Sequence, residues 1–178
     1  MTDTMESVLP SFMDSEGGER KIAFICSKGN LDMAYPALIM ANGALGEGID
    51  VHIFFTFWGM DMVNKNTMNK LKFTPMGNTA MHPPGRHFRI SMPQWLSGLP
   101  GMTWIATRMM RKQIADQGVP PVPEFLDHLV EAGAELWACK MSVDMMELTM
   151  DDMHDGVSDI INVTSFMELS EDAQVIFI

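Results

Sequence analysis

Cys26 and Cys139 are the two cysteines of the chain and the side chains best suited to carry out chemistry. Each lies at the end of a short apolar run that is typical of a buried strand, residues 21–26 and 135–139. In an open α/β sheet, ligands and reactive groups gather beyond the carboxyl ends of the strands, where the chain turns into the next helix. We therefore predict that both thiols lie at the functional edge of a sheet.

The residues after each cysteine favour a reactive thiolate. The thiolate is the nucleophile, and its pKa falls near a cation or at the start of a helix. Lys140 follows Cys139, and a helix predicted to begin near Ser142 would direct its free N–H groups toward the sulfur. Lys28 has a similar position two residues after Cys26. The alternative is that both cysteines serve only as small apolar side chains, since free cysteine is among the most buried residue types.

Other sites have weaker support in the sequence. The turn at residues 27–30 (SKGN) could hold a phosphate, but it matches neither G-x-x-x-x-G-K-[ST] nor G-x-G-x-x-G, and a tight turn is the preferred interpretation. The five histidines are scattered without metal-ligand spacing. There is no G-x-S-x-G motif for a serine hydrolase. We expect no metal and no cofactor.

The composition restricts the class of protein. The 178 residues suit one domain with its own core. Twelve Lys and Arg against 23 Asp and Glu give a net charge of −11, which argues against a nucleic-acid partner because phosphate binding needs a basic surface. The first residues do not form a secretory signal. The longest apolar stretch, residues 51–63, is shorter than the roughly 20 residues of a spanning helix. We expect a cytoplasmic protein without membrane segments, in which both thiols are free.

Strands alternate with helices along the chain, which predicts a Rossmann-like three-layer α/β domain. Its sheet should be mainly parallel, with about five strands and helices on both faces. The predicted strands are residues 21–26, 50–57, 135–139, 157–162 and 174–178, with a further short strand possible at 70–76. The main predicted helices are residues 32–45, 103–117, 123–132 and 163–169.

Several finer expectations accompany this pattern. Pro36 should lie in the first turn of its helix, where a missing N–H costs little. In the helix at 103–117, the residues that should face inward are Trp104, Ile105, Met109 and Ile114. Residues 1–19 should form a flexible acidic arm before a single domain at 20–178. Within this domain, residues 77–101 should form a long loop that acts as a lid or, as the preferred interpretation, as a subunit contact. The 20 methionines should fill the core and the subunit interfaces.

Four stretches of the chain resemble a known family, the DsrE/DsrF-like sulfur-carrier proteins, in the branch labelled peroxiredoxin-like. They are residues 25–36 (ICSKGNLDMAYP), 54–59 (FFTFWG), 99–102 (LPGM) and 138–144 (ACKMSVD). The first and the last are the most specific. The resemblance extends from residue 21 to the C-terminus.

The resemblance implies a Rossmann-like domain that forms homo-oligomers, often trimers, and carries sulfane sulfur on cysteine. Cys139 matches the usual persulfide carrier and Cys26 a second thiol of the same branch. The implied partners are a TusA-like sulfur-carrier protein, a rhodanese or a heterodisulfide-reductase-like complex. Spacing alone suggests Lys140, Ser142 and Lys28 as supporting residues. We thus expect a cytoplasmic sulfurtransferase or sulfur carrier.

Two alternatives are also compatible with the sequence. One is a flavodoxin-like module that binds a nucleotide or flavin at the same sheet edge, with both cysteines merely packed. The other is a structural subunit that carries no sulfur.

Overall fold

The computed structural model describes residues 20–78 and 93–178, and five parallel strands form the sheet of this part of the chain. The strand order is β4-β3-β2-β1-β5, so β2 separates the two strands that end in cysteine. The strands are β1 (Lys21–Cys26), β2 (Asp50–Phe55), β3 (Glu135–Cys139), β4 (Val157–Ile161) and β5 (Gln174–Phe177). The predicted parallel sheet is confirmed.

Six α-helices accompany the sheet in the described residues. They are α1 (Leu31–Gly46), α2 (Gln94–Ser97), α3 (Met102–Asp116), α4 (Val122–Glu131), α5 (Lys140–Met145) and α6 (Val163–Leu169). Short 3-10 helices occupy Phe57–Met62, Met68–Lys70 and Met150–Asp152. Strands β1 and β2 are buried along most of their length, and apolar residues predominate on both of their faces. This is usual for central strands of a parallel sheet, because helices cover both faces.

The two faces of the sheet are covered unequally. On the first face, Phe24 and Phe55 pack in a large core that includes Leu38 of α1 and Leu126 of α4. On the second face, a smaller cluster joins Ala23, Phe54, Cys139 and Phe166, and the ring of Phe166 in α6 stacks on Phe54 with centroids 4.4 Å apart. Helices thus lie on both faces, which confirms the three-layer architecture.

The end of β2 differs from the prediction. The strand stops at Phe55, two residues before the predicted end. Thr56 remains extended, and a 3-10 helix begins at Phe57. Phe57 has a φ of 45°, in the left-handed region that is unfavourable for a residue with a Cβ. This sharp turn brings Thr56 to the carboxyl edge of the sheet instead of leaving it in the strand.

Three local expectations were wrong. Residues 70–76 form no strand, since Pro75 and the turn at Gly77 interrupt the pattern. Pro36 lies in the second turn of α1, not the first. Trp104 and Ile105 are 66% and 51% exposed, because α3 buries a narrow stripe that contains the small Ala106 and Thr107.

Two segments with predictions lie outside the described residues. They are the predicted acidic arm at 1–19 and residues 79–92 of the predicted loop excursion at 77–101. In the part of the chain that the structure describes, no helix has the length and apolar character needed to cross a membrane.

Candidate functional site

Cys139 joins β3 to α5 at the carboxyl edge of the sheet. Helix α5 begins at Lys140, not near Ser142 as predicted, so that Cys139 itself occupies the N-cap position. The side chain of an N-cap residue accepts hydrogen bonds from N–H groups of the first helical turn. The Cys139 side chain does not form a complete capping hydrogen bond, but the N–H groups of Met141 and Ser142 act on its sulfur and lower the pKa of the thiol.

Two buried hydroxyl groups complete the surroundings of the Cys139 sulfur. The hydroxyls of Thr56 and Ser142 both hydrogen bond to it. Their own oxygens lie 3.2 Å apart, and the Phe57 N–H donates to the Ser142 oxygen at 2.7 Å. The strained turn after β2 therefore fixes Ser142, and Ser142 in turn contacts Thr56 and the thiol.

These contacts determine the acidity of Cys139. Burial acts to raise the pKa of Cys139, but the hydrogen bonds from Thr56, Ser142 and Met141 outweigh it and hold the pKa below its ordinary value of 9.0. Hydrogen bonds stabilise the thiolate more than the thiol because they act on a full negative charge. Lys140 instead forms an ion pair with Asp144 at 3.1 Å, on the exposed side of α5. The helix start and the hydroxyls, rather than the adjacent cation, favour the thiolate.

A small cavity borders Cys139, whose side chain is otherwise buried. It has a volume of about 330 Å³ and is lined by Cys139, Lys140, Met141, Asp144, Asn162 and Val163. Met141 and Val163 are largely exposed, as are Met145 and Met167 one helical turn further on. We call these four apolar side chains the apolar rim. The cavity can admit a small sulfur species or the tip of a partner's side chain.

Cys26 has the opposite properties. It lies at the end of β1 in the core of the first face, and burial raises the pKa of its thiol to about 12. Lys28 is exposed in the following turn. At neutral pH the Cys26 side chain is therefore a protonated, buried thiol.

The structure does not bring the two cysteines together. The register pairs Cys26 with Phe55 and Phe55 with Ala138, one residue before Cys139. Because successive side chains of a strand point to opposite faces, Cys26 and Cys139 lie on different faces of the sheet. Strands β1 and β3 are also separated by two strand spacings of about 4.8 Å each. This separation exceeds the roughly 7 Å between Cα atoms that a disulfide can span.

Two glycines let the turns at the carboxyl edge interlock. A Cβ on Gly59 would overlap the carbonyl oxygen of Cys26, and one on Gly29 would overlap the carbonyl oxygen of Trp58. The turn after β1 therefore packs directly against the 3-10 helix after β2. Its Ser27 donates both its N–H and its hydroxyl to the Ile178 carbonyl oxygen, at 2.8 and 3.0 Å. These donors are used within the fold, which favours the tight-turn interpretation over a phosphate cradle.

Thr56 is the residue that the sequence analysis missed. The sequence predicts it to lie inside the second strand, within the motif at residues 54–59, and gives it no role. No local signal identifies Thr56, because its place beside Cys139 depends on which strands are neighbours in the sheet and on where the second strand ends. Among the described residues, no three His, Cys, Asp or Glu side chains are grouped so that they could hold a metal ion.

A Rossmann-like sheet with a cysteine of lowered pKa at its carboxyl edge is typical of α/β thiol proteins. The chain belongs to the DsrE/DsrF/DrsH-like family, whose sequence model matches residues 18–178. It is 32% identical over 161 residues to the "Sulfur carrier protein DsrE2" of Allochromatium vinosum, an alignment that covers 88% of this chain and 96% of that protein. The family resemblance seen in the sequence is thereby confirmed.

Further relatives extend the comparison. The chain is 26% identical over 160 residues to the uncharacterised protein YrkE of Bacillus subtilis, covering 88% of this chain and 94% of that protein. Protein MTH1491 of Methanobacterium thermoautotrophicum, of unknown function, superposes with a TM-score of 0.54 at 8% identity. The ychN protein of E. coli gives 0.50 at 11% identity. Both superpositions cover 89% of this chain and 99% of the other and show a shared fold.

Proposed function

We propose that this protein is a sulfur carrier that holds sulfane sulfur as a persulfide on Cys139 and passes it to a thiol of a partner protein. The observation that carries the proposal is the position of Cys139 at the carboxyl edge of the sheet, where neighbouring hydroxyl and N–H groups lower the pKa of its thiol. Membership of the DsrE/DsrF/DrsH-like family and similarity to a relative named as a sulfur carrier support a sulfur-related role.

Loading is a redox-neutral exchange. The Cys139 thiolate attacks the outer sulfur of a donor persulfide, R–S–SH, and a new S–S bond forms on Cys139. The S–S bond of the donor breaks, and its electron pair leaves with the donor's inner sulfur as a thiolate. The proton of the transferred sulfur is released to solvent or to the departing thiolate. Unloading is the same reaction in reverse, with an acceptor thiolate as the nucleophile.

The surroundings of Cys139 suit both directions of transfer. A thiol whose pKa is lowered has a larger fraction of thiolate available to attack, and it is also a better leaving group when the acceptor removes the outer sulfur. The hydroxyls of Thr56 and Ser142 and the first-turn N–H groups stabilise the thiolate that is consumed in loading and regenerated in unloading. The cavity beside Cys139 offers room for the extra sulfur.

The surface around the cavity suits a protein partner. The apolar rim of Met141, Met145, Val163 and Met167 is the kind of exposed patch that marks an interaction site. We assign it to the docking of a TusA-like carrier, a rhodanese or a heterodisulfide-reductase-like complex, in a cytoplasm that keeps thiols reduced. We also propose that the protein forms homo-oligomers, for which the exposed Phe177 on edge strand β5 offers a contact. The preference for a trimer comes from the family resemblance alone.

The other predicted site residues have secondary places in this proposal. Sulfur transfer between Cys139 and Cys26 would need backbone movement, because they lie on different faces of the sheet. Cys26 as a second acceptor, with Lys28 as its support, stays a prediction. Lys140 lines the cavity and keeps a proposed role toward the incoming sulfur, although it is paired with Asp144.

Mass spectrometry of the loaded protein tests the proposal. After incubation with polysulfide, the wild type should gain multiples of about 32 Da on the peptide that contains Cys139. Cys139→Ser should lose this adduct, and the matched variant Cys26→Ser should retain it. An undiminished adduct in Cys139→Ser would refute the assignment.

A further inference from the structure

Positive charge is concentrated in one part of this acidic chain. Residues 62–115 contain eight of the 12 Lys and Arg residues and none of the 23 Asp and Glu residues. The remainder of the chain therefore carries four basic residues and all the acidic ones. Such an asymmetry is typical of a region that interacts with negatively charged groups.

The described part of this region forms a groove. A cavity of about 1070 Å³ lies between α3 and residues 69–72. Five cations line it, Lys70, Lys72, Arg108, Arg111 and Lys112, together with the apolar side chains of Trp104 and Ile105. A neighbouring cavity of about 630 Å³ shares Lys70 and Lys72 and adds Lys28. We call the two cavities together the basic groove.

The basic groove has a fixed wall and exposed contact groups. Arg111 is fixed because it donates to the carbonyl oxygens of Asn69 and Leu71 at 2.9 and 3.0 Å. Arg108 and Lys112 are exposed one helical turn apart, and like charges at this spacing repel each other. Trp104 is also exposed, with the Arg108 guanidinium 5.8 Å from its ring centroid. An acidic segment with apolar side chains would relieve the repulsion and cover the indole.

We propose that residues 1–19 of this same chain dock in the basic groove. This segment carries five acidic residues and no Lys or Arg. Between its acidic ends it contains the apolar residues Val8, Leu9, Phe12 and Met13. Acidic groups can pair with Arg108 and Lys112 while the apolar centre packs on Trp104 and Ile105. The segment therefore matches the groove in both charge and apolar character.

The covalent link makes this docking favourable. The segment joins the fold at Arg20, immediately before β1. An extended chain of 19 residues spans up to about 60 Å, whereas a compact chain of 178 residues has a radius of gyration of about 16 Å. The segment can therefore reach any side of the molecule. A tethered segment of this kind has an effective concentration of about a millimolar, which no free acidic peptide matches at ordinary dilution.

Cleavage after Phe12 by chymotrypsin, in the full-length protein, tests the proposal. At low salt the docked segment should be cleaved slowly, and Arg108→Glu/Lys112→Glu should raise the cleavage rate at least about tenfold, because proteolysis follows the population of the open state. High salt should bring the wild type to the same fast rate. Lys140→Glu, which reverses a cation outside the groove, should leave the rate unchanged.

A charge-swap rescue separates docking from misfolding. Adding Glu16→Lys/Glu19→Lys to the Arg108→Glu/Lys112→Glu variant should restore slow cleavage at low salt. Synthetic peptides of residues 1–19 with and without these changes correct for intrinsic cleavage rates. Equal rates in the wild type and Arg108→Glu/Lys112→Glu at low salt would overturn the proposal. Protection that increases with protein concentration would also overturn it, since the groove would then bind a second copy.

Discussion

Replacement of Thr56 by valine tests how the fold activates Cys139. The substitution keeps the shape of the side chain and removes the hydroxyl that hydrogen bonds to the sulfur. Because that hydroxyl is one of the groups that lower the pKa of Cys139, its loss should raise this pKa. Cys139 should then be a thiol over a wider pH range and react more slowly at neutral pH.

The size of the effect follows from one hydrogen bond to a charged group. Such a bond contributes about 1.5 kcal/mol, the lower end of the range for hydrogen bonds to charged groups. We use the lower end because the N–H groups of Met141 and Ser142 still stabilise the thiolate in the variant. This corresponds to about a tenfold smaller thiolate population at a pH below both pKa values. Above both pKa values the thiol is fully ionised in either protein, and the difference should nearly disappear.

The assay is the rate of iodoacetamide alkylation of Cys139 as a function of pH, followed by mass spectrometry. Cys26 should not interfere, since it is buried and its pKa is raised to about 12. Thr56→Ser keeps a hydroxyl and should restore the wild-type profile. Lys140→Gln should change it little, because Lys140 is paired with Asp144. Superimposable profiles for the wild type and Thr56→Val would refute the reasoning.

Two further predictions concern stability. Gly59→Ala should lower the free energy of unfolding by about 3 kcal/mol, since its Cβ would overlap the Cys26 carbonyl oxygen. The control Gly43→Ala, where an added Cβ meets nothing within 4 Å, should instead raise it by about 0.5 to 1 kcal/mol; similar urea midpoints for the two variants would contradict this. The unfolded chain releases the Cys26 proton near its ordinary pKa of 9.0, whereas the folded chain keeps it until about 12. The free energy of unfolding should therefore fall as the pH rises above 9.0, and this decline should be less steep in Cys26→Ala. Urea titrations at each pH measure it. An equally steep decline in Cys26→Ala would show that Cys26 does not cause the loss of stability.

The local sequence predicts the elements that carry the site. Apolar runs ending at Cys26 and Cys139, each followed by polar residues and a helical pattern, are sufficient to place both thiols at strand ends. The amphipathic pattern of α3 also predicts its boundaries to within one residue. The same pattern wrongly predicts that Trp104 and Ile105 are buried. Periodicity identifies an apolar stripe on a helix but does not show which neighbouring element covers it.

The relation between the two cysteines was decided by tertiary structure. Strand order places β2 between them, and the register sets Cys26 level with Ala138 rather than Cys139. Neither order nor register is encoded in one segment, since both depend on how distant strands pair. A shift of one residue in the register would reverse the face on which a cysteine lies.

By itself, the sequence determined that Cys139 ends a strand and precedes a short helix, and its motifs indicated the family. Only the tertiary structure decided which groups make that sulfur acidic. Thr56 and Phe57 are more than 80 residues from Ser142, and they meet it through the pairing of β2 with β3 and the sharp turn at Phe57. The pKa of a thiol depends on the donors and the burial around it in space, and residues adjacent in sequence, such as Lys140, need not supply them.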